Sequence, residues 1–331
     1  MPVFRKTKIF ITQCFLDLSN VPGSATNNHK ESAMNGTRTI GFVGLGQMGK
    51  YMARNLMGPD VALTVCDISD AAFDDFRKAG GKCTRKAVDL AGSDIIFLSL
   101  PGDREVKAVL LGEGGLLPLL RRGQIVVDLS TITYAATREL AAALQEKGIL
   151  FLDAPVSGME ARARDATLSI MVGGKAEDLA RIEPLLKRMG NNIQHMGDVG
   201  AGQLTKLMNQ LLFDINMAAL AEVLPLSVKM GLDPVKLASI INTGTGRSYA
   251  SEFFIPRIME NSFSEGYAMK HAYKDLIIGA MIAAQETIPL PVLQAATVTY
   301  QTALLKGYGD LDKGAMIKVY EELLGVAYRK K

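Results

Sequence analysis

Three glycines near residue 45 are the first residues whose type and spacing indicate chemistry. Gly44, Gly46 and Gly49 have the spacing G-x-G-x-x-G, directly after an apolar run and directly before a segment with helical periodicity. The first glycine permits a tight turn, the second leaves space for a pyrophosphate, and the third lets the helix pack closely on a sheet. The helix start attracts the phosphates. The motif, with Gln47 and Met48 inside it, predicts a dinucleotide site; turn glycines without a ligand are the alternative.

An aspartate ends the next apolar run. Asp67 follows Gly44 by a little over 20 residues, where an acid accepts hydrogen bonds from the ribose hydroxyls of the adenosine. A 2′-phosphate there would meet like charge, and no arginine follows immediately to bind it. The position therefore predicts NAD as the cofactor and makes NADP the less favoured one. In the alternative interpretation, Asp67 only caps the following helix.

The elements that must position these residues alternate along the chain from Thr39 onward. Short apolar runs alternate with longer segments of helical periodicity, an order typical of a doubly wound parallel sheet. The predicted strands are Ile40–Val43, Ala62–Cys66, Ile95–Leu100, Ile125–Leu129, Ile149–Leu152, Leu168–Val172 and Asn192–His195, with a helix at Ala176–Met189 between the last two.

Two dipeptides fall at the carboxyl ends of predicted strands. Leu100-Pro101 ends one strand, and Ser130-Thr131 follows another. In an open parallel sheet, ligands bind in the crevice outside these ends. We therefore expect Leu100, Pro101 and Thr131 to contact the cofactor and Ser130 to contact the substrate.

After Gly202 the strand pattern stops, and the rest of the chain is predicted to be helical. The first helix is long and amphipathic, and Pro225 is expected to kink or end it. Further helices are predicted to begin at Asp233-Pro234 and to cover Asp275–Thr287 and Leu290–Lys306.

These patterns predict an α/β protein with an N-terminal Rossmann-type doubly wound sheet and an all-helical C-terminal domain. We place the NAD-binding Rossmann domain at 39–200 and a substrate and dimerisation domain, beginning with a long interdomain helix, at 201–331. Helix-on-helix packing favours a homodimer or homotetramer. We expect residues 1–38 to be an extension that is either disordered or the result of a start assigned too early, with Met34 as the true beginning. It has one acid in its first 30 residues, Asp17, so a mitochondrial targeting peptide is the alternative to a cytoplasmic location.

Composition excludes several classes of function. The formal charge of +3 is small for 331 residues, and the basic residues are spread along the chain, so a nucleic-acid partner has no support. Cys14, Cys66 and Cys83 form no C-x-x-C and have no nearby histidine pair, which predicts no metal site and no disulfide framework. The longest apolar stretch, Leu211–Val228, is interrupted by three polar residues, so we expect no membrane span.

Four motifs in this order resemble those of the beta-hydroxyacid dehydrogenase family, which includes 3-hydroxyisobutyrate dehydrogenase and tartronate semialdehyde reductase. They are the glycine loop, Asp153-Ala-Pro-Val-Ser-Gly158, Gly200-Ala-Gly-Gln-Leu-Thr-Lys206-Leu-Met-Asn209 and Lys274-Asp275-Leu276, and the resemblance covers about Thr39 to Ala327. It implies an NAD-dependent oxidoreductase of class EC 1.1.1.- that moves a hydride between NAD and a small 3-hydroxy acid, or reduces the matching semialdehyde.

The resemblance also implies roles for single residues. Ser157 and Gly158 would hold the substrate carboxylate, because an anion needs converging donors more than a full counter-charge. Lys206 would transfer a proton to or from the substrate oxygen, and Asn209 would orient the substrate or the lysine. Lys274 would contact the cofactor from the helical domain.

Lys206 also has support from its position. It shares a helix face with Asn209 and Gln210 near the helix start, where the dipole lowers a lysine pKa toward the roughly 7 to 8 that acid-base work requires. A solvated surface lysine is the alternative. His195 and His271 lie in no motif that would position them, so we interpret both as structural.

The chain departs from the family pattern near the predicted substrate site. Gln210 replaces a second asparagine and is expected to narrow the pocket. Met159 stands where a second glycine is common, and Glu160, Arg162 and Arg164 follow it instead of small residues. These changes bear on substrate identity.

Two rival functions share this fold. One is an NADP-dependent imine reductase, and the other is a non-catalytic dinucleotide-binding homologue. Both generally lack the lysine found at position 206, so Lys206 argues against each.

Overall fold

The computed structural model describes residues 37–330, and every structural statement below concerns that part of the chain. Cys14, Met34, Asp17 and all but the last two residues of the predicted extension lie outside it. The described strands form one sheet in the order β3-β2-β1-β4-β5-β6-β8-β7, with β9 beside β8. They are Arg38–Val43 (β1), Val61–Cys66 (β2), Lys82–Thr84 (β3), Ile95–Leu98 (β4), Ile125–Asp128 (β5), Leu150–Asp153 (β6), Val156–Ser157 (β7), Leu168–Gly173 (β8) and Gly190–Gly197 (β9).

Helices separate these strands and then make up the rest of the described chain. They are Gly49–Leu56 (α1), Phe73–Lys78 (α2), Asp103–Leu111 (α3), Tyr134–Glu146 (α4), Met159–Arg164 (α5), Ala176–Leu186 (α6), Ala201–Lys229 (α7), Pro234–Thr243 (α8), Tyr249–Met259 (α9), Met269–Gln285 (α10), Pro291–Leu305 (α11) and Ile317–Leu324 (α12). The predicted fold class, a Rossmann-type sheet followed by helices, is confirmed.

The central strands are buried on both faces, as parallel strands covered by helices must be. Strands β1 to β6 run parallel, and β8 is antiparallel to β6 and β7. Phe42 of β1 stacks beside Phe97 of β4. Met52 of α1 packs against one face of the sheet, and Leu110 of α3 and Leu140 of α4 pack against the other.

All seven predicted strands are present, with ends shifted by one or two residues. Strands β3 and β7 were not predicted, because runs of three and two residues carry no apolar periodicity. Helix α8 begins as expected, with the Asp233 carboxylate accepting hydrogen bonds from Val235 and Lys236 N–H. Helix α10 begins at Met269, six residues before the predicted Asp275.

Pro225 was expected to kink or end the first long helix, and it does not end it. Helix α7 continues past it to Lys229, and Pro225 and the preceding Leu224 are both buried. Packing of this segment in the helical core offsets the hydrogen bond that a proline cannot donate.

By length and composition alone, α7 is also long and apolar enough to cross a membrane. Half of its most apolar 18-residue stretch is, however, buried inside the protein. Such burial is what the core helix of a globular domain shows.

Candidate active site

A cavity of about 680 Å³ lies between the carboxyl ends of the parallel strands and the helical part of the chain. We call its two sides the strand wall and the helix wall. The strand wall contains Gln47, Met48, Leu100, Pro101, Ser130, Thr131, Ser157 and Gly158. The helix wall contains Lys206, Asn209, Gln210, Phe213, Tyr249, Lys274 and Asp275. Most of the predicted site residues therefore meet around one space, while His195 and His271 do not line it.

The glycines and Asp67 lie beside this cavity, in the loops that follow β1 and β2. Gly44 has a φ of +98°, and a Cβ there would lie 2.1 Å from the Ser99 carbonyl oxygen. A Cβ on Gly49 would lie 2.0 Å from the Gly44 carbonyl oxygen, whereas a Cβ on Gly46 would meet no atom within 4 Å. The loop is thus closed toward the sheet and open at Gly46, which fits a pyrophosphate approaching its backbone.

Asp67 is tied to the glycine loop itself. One carboxylate oxygen accepts the Leu45 N–H at 2.6 Å, and the other accepts the Ser69 N–H at 2.8 Å. The carboxylate therefore stands directly beside the loop at the end of β2. Each oxygen keeps a lone pair that can accept a further hydrogen bond.

Ser130 is buried and fully engaged within the strand wall. Its hydroxyl oxygen accepts a hydrogen bond from the Leu100 N–H at 2.8 Å. Its carbonyl oxygen accepts one from the Nε2 amide of Gln203 at 2.7 Å. Its own N–H donates to Asp128. Ser130 thus joins two strand-end loops to the start of α7, and its predicted contact with substrate stays a prediction.

The start of α7 is held by an acid from the second motif. The Asp153 carboxylate at the end of β6 accepts the N–H of Gly200 at 2.7 Å and that of Gln203 at 2.8 Å. A Cβ on Gly202 would lie 2.4 Å from the Met171 carbonyl oxygen, so the helix start sits directly against the sheet. This attachment determines where the next turn, which carries Lys206, meets the cavity.

Lys206 is buried, with 9% of its surface exposed, and lines the cavity. Its Nζ donates to Gln210 Oε1 at 3.3 Å, and Gln210 Nε2 donates to Asp275 Oδ2 at 3.4 Å. Asn209 lies beside them, with its Nδ2 at 3.5 Å from Gln210 Oε1. Gln210, which replaces the family's second asparagine, therefore bridges the lysine to Asp275.

The surroundings of Lys206 favour its neutral form. Burial lowers its pKa most, the Asp275 and Asp214 carboxylates oppose this change and the Lys313 cation adds to it, and the resulting pKa is about 8. Lys313 is itself fully buried and pairs with Asp214 Oδ1 at 2.5 Å. An amine with this pKa can exchange a proton near neutral pH.

Gly158 and Met159 form a constrained turn at the end of β7. Gly158 has a φ of +143°, and Met159 has a φ of +61°, which is uncommon for a residue with a side chain. Sδ of Met159 lies 3.6 Å from the Tyr249 hydroxyl, which donates to it across the cavity. The methionine thus connects the two walls beside Ser157.

Residues 39–197 match the family described as the NAD-binding domain of 6-phosphogluconate dehydrogenase, and residues 200–320 match the family described as the NAD-binding of NADP-dependent 3-hydroxyisobutyrate dehydrogenase. A 2-(hydroxymethyl)glutarate dehydrogenase of Eubacterium barkeri is 40% identical over 290 residues, 87% of this chain and 96% of that protein. An NAD-dependent L-serine dehydrogenase of Pseudomonas aeruginosa is 36% identical over 87% of this chain and 99% of that protein.

Among solved structures, a 3-hydroxyisobutyrate dehydrogenase of Salmonella typhimurium matches with a TM-score of 0.78 at 28% identity, over 85% of this chain and 99% of that one. The chain belongs to the beta-hydroxyacid dehydrogenase family. The predicted class, an NAD-dependent oxidoreductase acting on the hydroxyl group of a small hydroxy acid, is confirmed.

Within this beta-hydroxyacid dehydrogenase, the structure also brings residues to the cavity that sequence analysis missed. Phe213, Tyr249, Phe254 and Tyr267 line it from the helical part. Phe213 and Phe254 fit the apolar pattern of their helices, so the sequence alone makes them look like ordinary core residues. Lys313 lies 99 residues beyond Asp214, and no local signal indicates that the two form a pair.

Proposed function

We propose that this protein is an NAD-dependent dehydrogenase of a small 3-hydroxy acid, with Lys206 as its general acid and base. The observation that carries the proposal is the burial of the Lys206 amine at the cavity wall, opposite the carboxyl ends of the strands. A surface lysine would stay protonated well above neutral pH, whereas burial lowers the pKa of Lys206 to about 8.

The strand wall and the helix wall would divide the work. The Ser157 hydroxyl and the backbone at Gly158 hold the substrate carboxylate, and Asn209 orients the hydroxyl group toward Lys206. Neutral Lys206 accepts the hydroxyl proton during oxidation, and its ammonium form returns a proton to the carbonyl oxygen during reduction. NAD, when bound, supplies the nicotinamide carbon that exchanges the hydride.

Several residues would hold the cofactor. Gly44, Gly46 and Gly49 would hold the pyrophosphate, together with Gln47 and Met48 of the same loop. Leu100, Pro101, Thr131 and Lys274 would border the nicotinamide end. The Asp67 carboxylate favours NAD over NADP, because a 2′-phosphate beside it would meet like charge.

The proposal includes two domains in each copy, residues 39–200 and 201–331. It also includes assembly of the copies into a homodimer or homotetramer. Large apolar side chains are exposed on the helical part, including Ile240 at 68%, Met230 at 72% and Leu305 at 90%. Contact between copies would bury such surface. Light scattering of the purified protein measures the copy number, and a monomer at micromolar concentration would contradict this part.

An assay with purified protein tests the function. NAD and NADP are each supplied with 3-hydroxyisobutyrate, glycerate, threonate, L-serine, 2-(hydroxymethyl)glutarate and sulfonated analogues, and 2-hydroxy acids without a hydroxyl at C3, such as lactate, serve as the matched control. We expect turnover with NAD and at least one 3-hydroxy acid, and none with the 2-hydroxy acids. A clear preference for NADP would contradict the role of Asp67. Reduction of cyclic imines alone, or NAD binding without any turnover, would replace the proposal with one of the two rival functions.

A further inference from the structure

Two arginines on helix α5 have different surroundings. The Arg164 guanidinium pairs with Glu160 Oε1 at 3.3 Å and lies 5.2 Å from the centre of the Tyr51 ring. Arg162 lines the cavity, and its side chain has no hydrogen-bond or ion-pair partner among residues 37–330. A guanidinium has five N–H donors, so Arg162 presents unused donors to the ligand space.

The Arg162 side chain lies across the turn that is expected to hold the substrate carboxylate. A Cβ on Gly158 would lie 2.7 Å from Cδ and 2.8 Å from Cβ of Arg162. The aliphatic part of the side chain therefore covers Gly158, and the guanidinium extends from this Cδ in a residue that lines the cavity. Any substrate held at Ser157 and Gly158 has this cation beside it.

The acids around the cavity are already occupied. Glu160 accepts the Tyr51 hydroxyl at 2.8 Å and Gln47 Nε2 at 3.1 Å, in addition to Arg164. Glu265 pairs with Arg257 at 3.0 Å. Asp275 accepts Gln210 on the helix wall. None of these carboxylates neutralises Arg162 in the described structure.

The other two cations of the cavity have different tasks in the proposed function. Lys206 exchanges the proton. Lys274 also borders a small neighbouring cleft lined by Thr131 and Ile132 after β5 and by Gln203 of α7, and the proposed function assigns Lys274 and Thr131 to the cofactor. Arg162 lies beside Ser157 and Gly158 instead. Its charge is therefore available to the substrate.

Resting on the proposed function, we propose that Arg162 forms an ion pair with a second carboxylate of the substrate, so that the substrate class is a 3-hydroxy acid with two carboxylates. A hydroxyl and backbone N–H groups bind one carboxylate without a counter-charge. A guanidinium beside that first carboxylate can form two parallel hydrogen bonds to a second carboxylate of the same substrate. Arg162 is thus a specificity-determining residue.

Three probes with the same hydroxymethyl-carboxylate core test this assignment. They are 2-(hydroxymethyl)glutarate, its monoester at the distal carboxylate, and 3-hydroxyisobutyrate. Wild-type protein should prefer the diacid over the monoester by at least about 10-fold in kcat/KM. Arg162→Gln should lower that ratio about 10- to 100-fold, which is the contribution of a hydrogen bond to a charged group, mainly through the KM of the diacid. Arg162→Lys should restore part of the ratio.

Arg164→Gln is the matched control, because it removes a guanidinium from the same helix that already has partners. It should leave the ratio of diacid to monoester within about 2-fold, as expected for an exposed ion pair. An unchanged ratio in Arg162→Gln would overturn the proposal. That outcome includes an equal loss for diacid and monoester, which would mean that Arg162 binds the first carboxylate.

Calorimetry keeps this inference separate from the proposed function. Glutarate and butyrate are titrated into the protein in the presence of NADH, which needs no turnover. Glutarate should bind more tightly to wild-type protein, and Arg162→Gln should remove the difference. Should the protein turn over no 3-hydroxy acid, the proposed function fails, and the calorimetric difference still decides the role of Arg162. Equal binding of the two acids to wild-type protein would overturn it.

Discussion

The two walls of the cavity are built from different kinds of groups. On the strand wall and the adjoining glycine loop, the functional groups are mostly backbone N–H and short side chains, held where Gly44, Gly49 and Gly158 let chain segments approach closely. On the helix wall they are buried charges, Lys206 and Asp275, with the fully buried pair Lys313 and Asp214 behind them. The first wall depends on local sterics, and the second depends on charges that distant helices bring together.

This difference has an energetic consequence. A backbone site needs no desolvated charge, and the glycines let the loop adopt its tight turn without steric strain. The helix wall must keep several ionised groups out of water, which costs free energy unless each has a partner. Lys313 meets this requirement with Asp214 at 2.5 Å and with the Phe213 ring, whose centre lies 3.5 Å from Nζ.

Breaking the buried pair should have the largest effect. Lys313→Met leaves Asp214 buried without its partner, and we expect the free energy of unfolding to fall by about 3–5 kcal/mol. Urea denaturation monitored by circular dichroism measures this loss. Lys313→Met combined with Asp214→Asn should recover part of it, because no unpaired charge remains.

The exposed ion pair of Arg77 and Asp74 is the control for this experiment. Arg77→Met should change the unfolding free energy by less than about 0.5 kcal/mol, since both side chains are more than half exposed. A loss below about 1 kcal/mol for Lys313→Met would show that the helix wall does not depend on buried charge, and the contrast between the walls would disappear.

Removing the amine of Lys206 should be the next largest effect. Lys206→Ala should lower kcat about 100-fold or more while NAD binding survives, because a positioned acid or base contributes that much. In wild-type protein, kcat/KM for oxidation should rise with pH through about 8, the pKa of Lys206, since only the neutral amine accepts a proton. For reduction the same ratio should fall through that pH.

Both pH dependences should vanish in Lys206→Ala. Lys270→Ala is the matched control, because Lys270 is half-exposed and pairs with Asp310 away from the cavity. A kcat that stays at the wild-type value in Lys206→Ala would reject the assignment of this residue as the proton carrier.

A substitution in the glycine loop beside the strand wall should have the smallest effect of the three. Gly44→Ala adds a methyl group 2.1 Å from the Ser99 carbonyl oxygen at a φ of +98°. Left-handed backbone costs a residue with a side chain about 1–2 kcal/mol, and displacement of the loop should weaken NAD binding by about 10-fold. Fluorescence titration with NADH measures the affinity.

Gly80→Ala separates backbone strain from the close approach. Gly80 has a φ of +87°, but a Cβ there meets nothing within 4 Å. It should lose similar stability and keep its NADH affinity. Equal NADH affinity in the two variants would mean that the glycine loop tolerates a side chain at Gly44, contrary to the steric account of the strand wall.

The features that could be predicted from sequence are those with a local physical cause. Apolar runs of four or more residues predicted the buried strands, and the glycine spacing predicted the loop, because a turn and a close approach leave few residue types allowed. Strands β3 and β7 are too short to show a pattern. The continuation of α7 past Pro225 depends on packing, which outweighs the preference of a single residue.

The sequence by itself determined the class of fold, the dinucleotide loop and the identity of the lysine that we propose as proton carrier, since each rests on residues close together in the chain. Only the tertiary structure decided that Lys313 reaches Asp214, that Gln210 connects Lys206 to Asp275, and that Arg164 has partners while Arg162 has none within the described part of the chain. The strength of a charge depends on its burial and on neighbours from distant segments, and neither is encoded in local spacing.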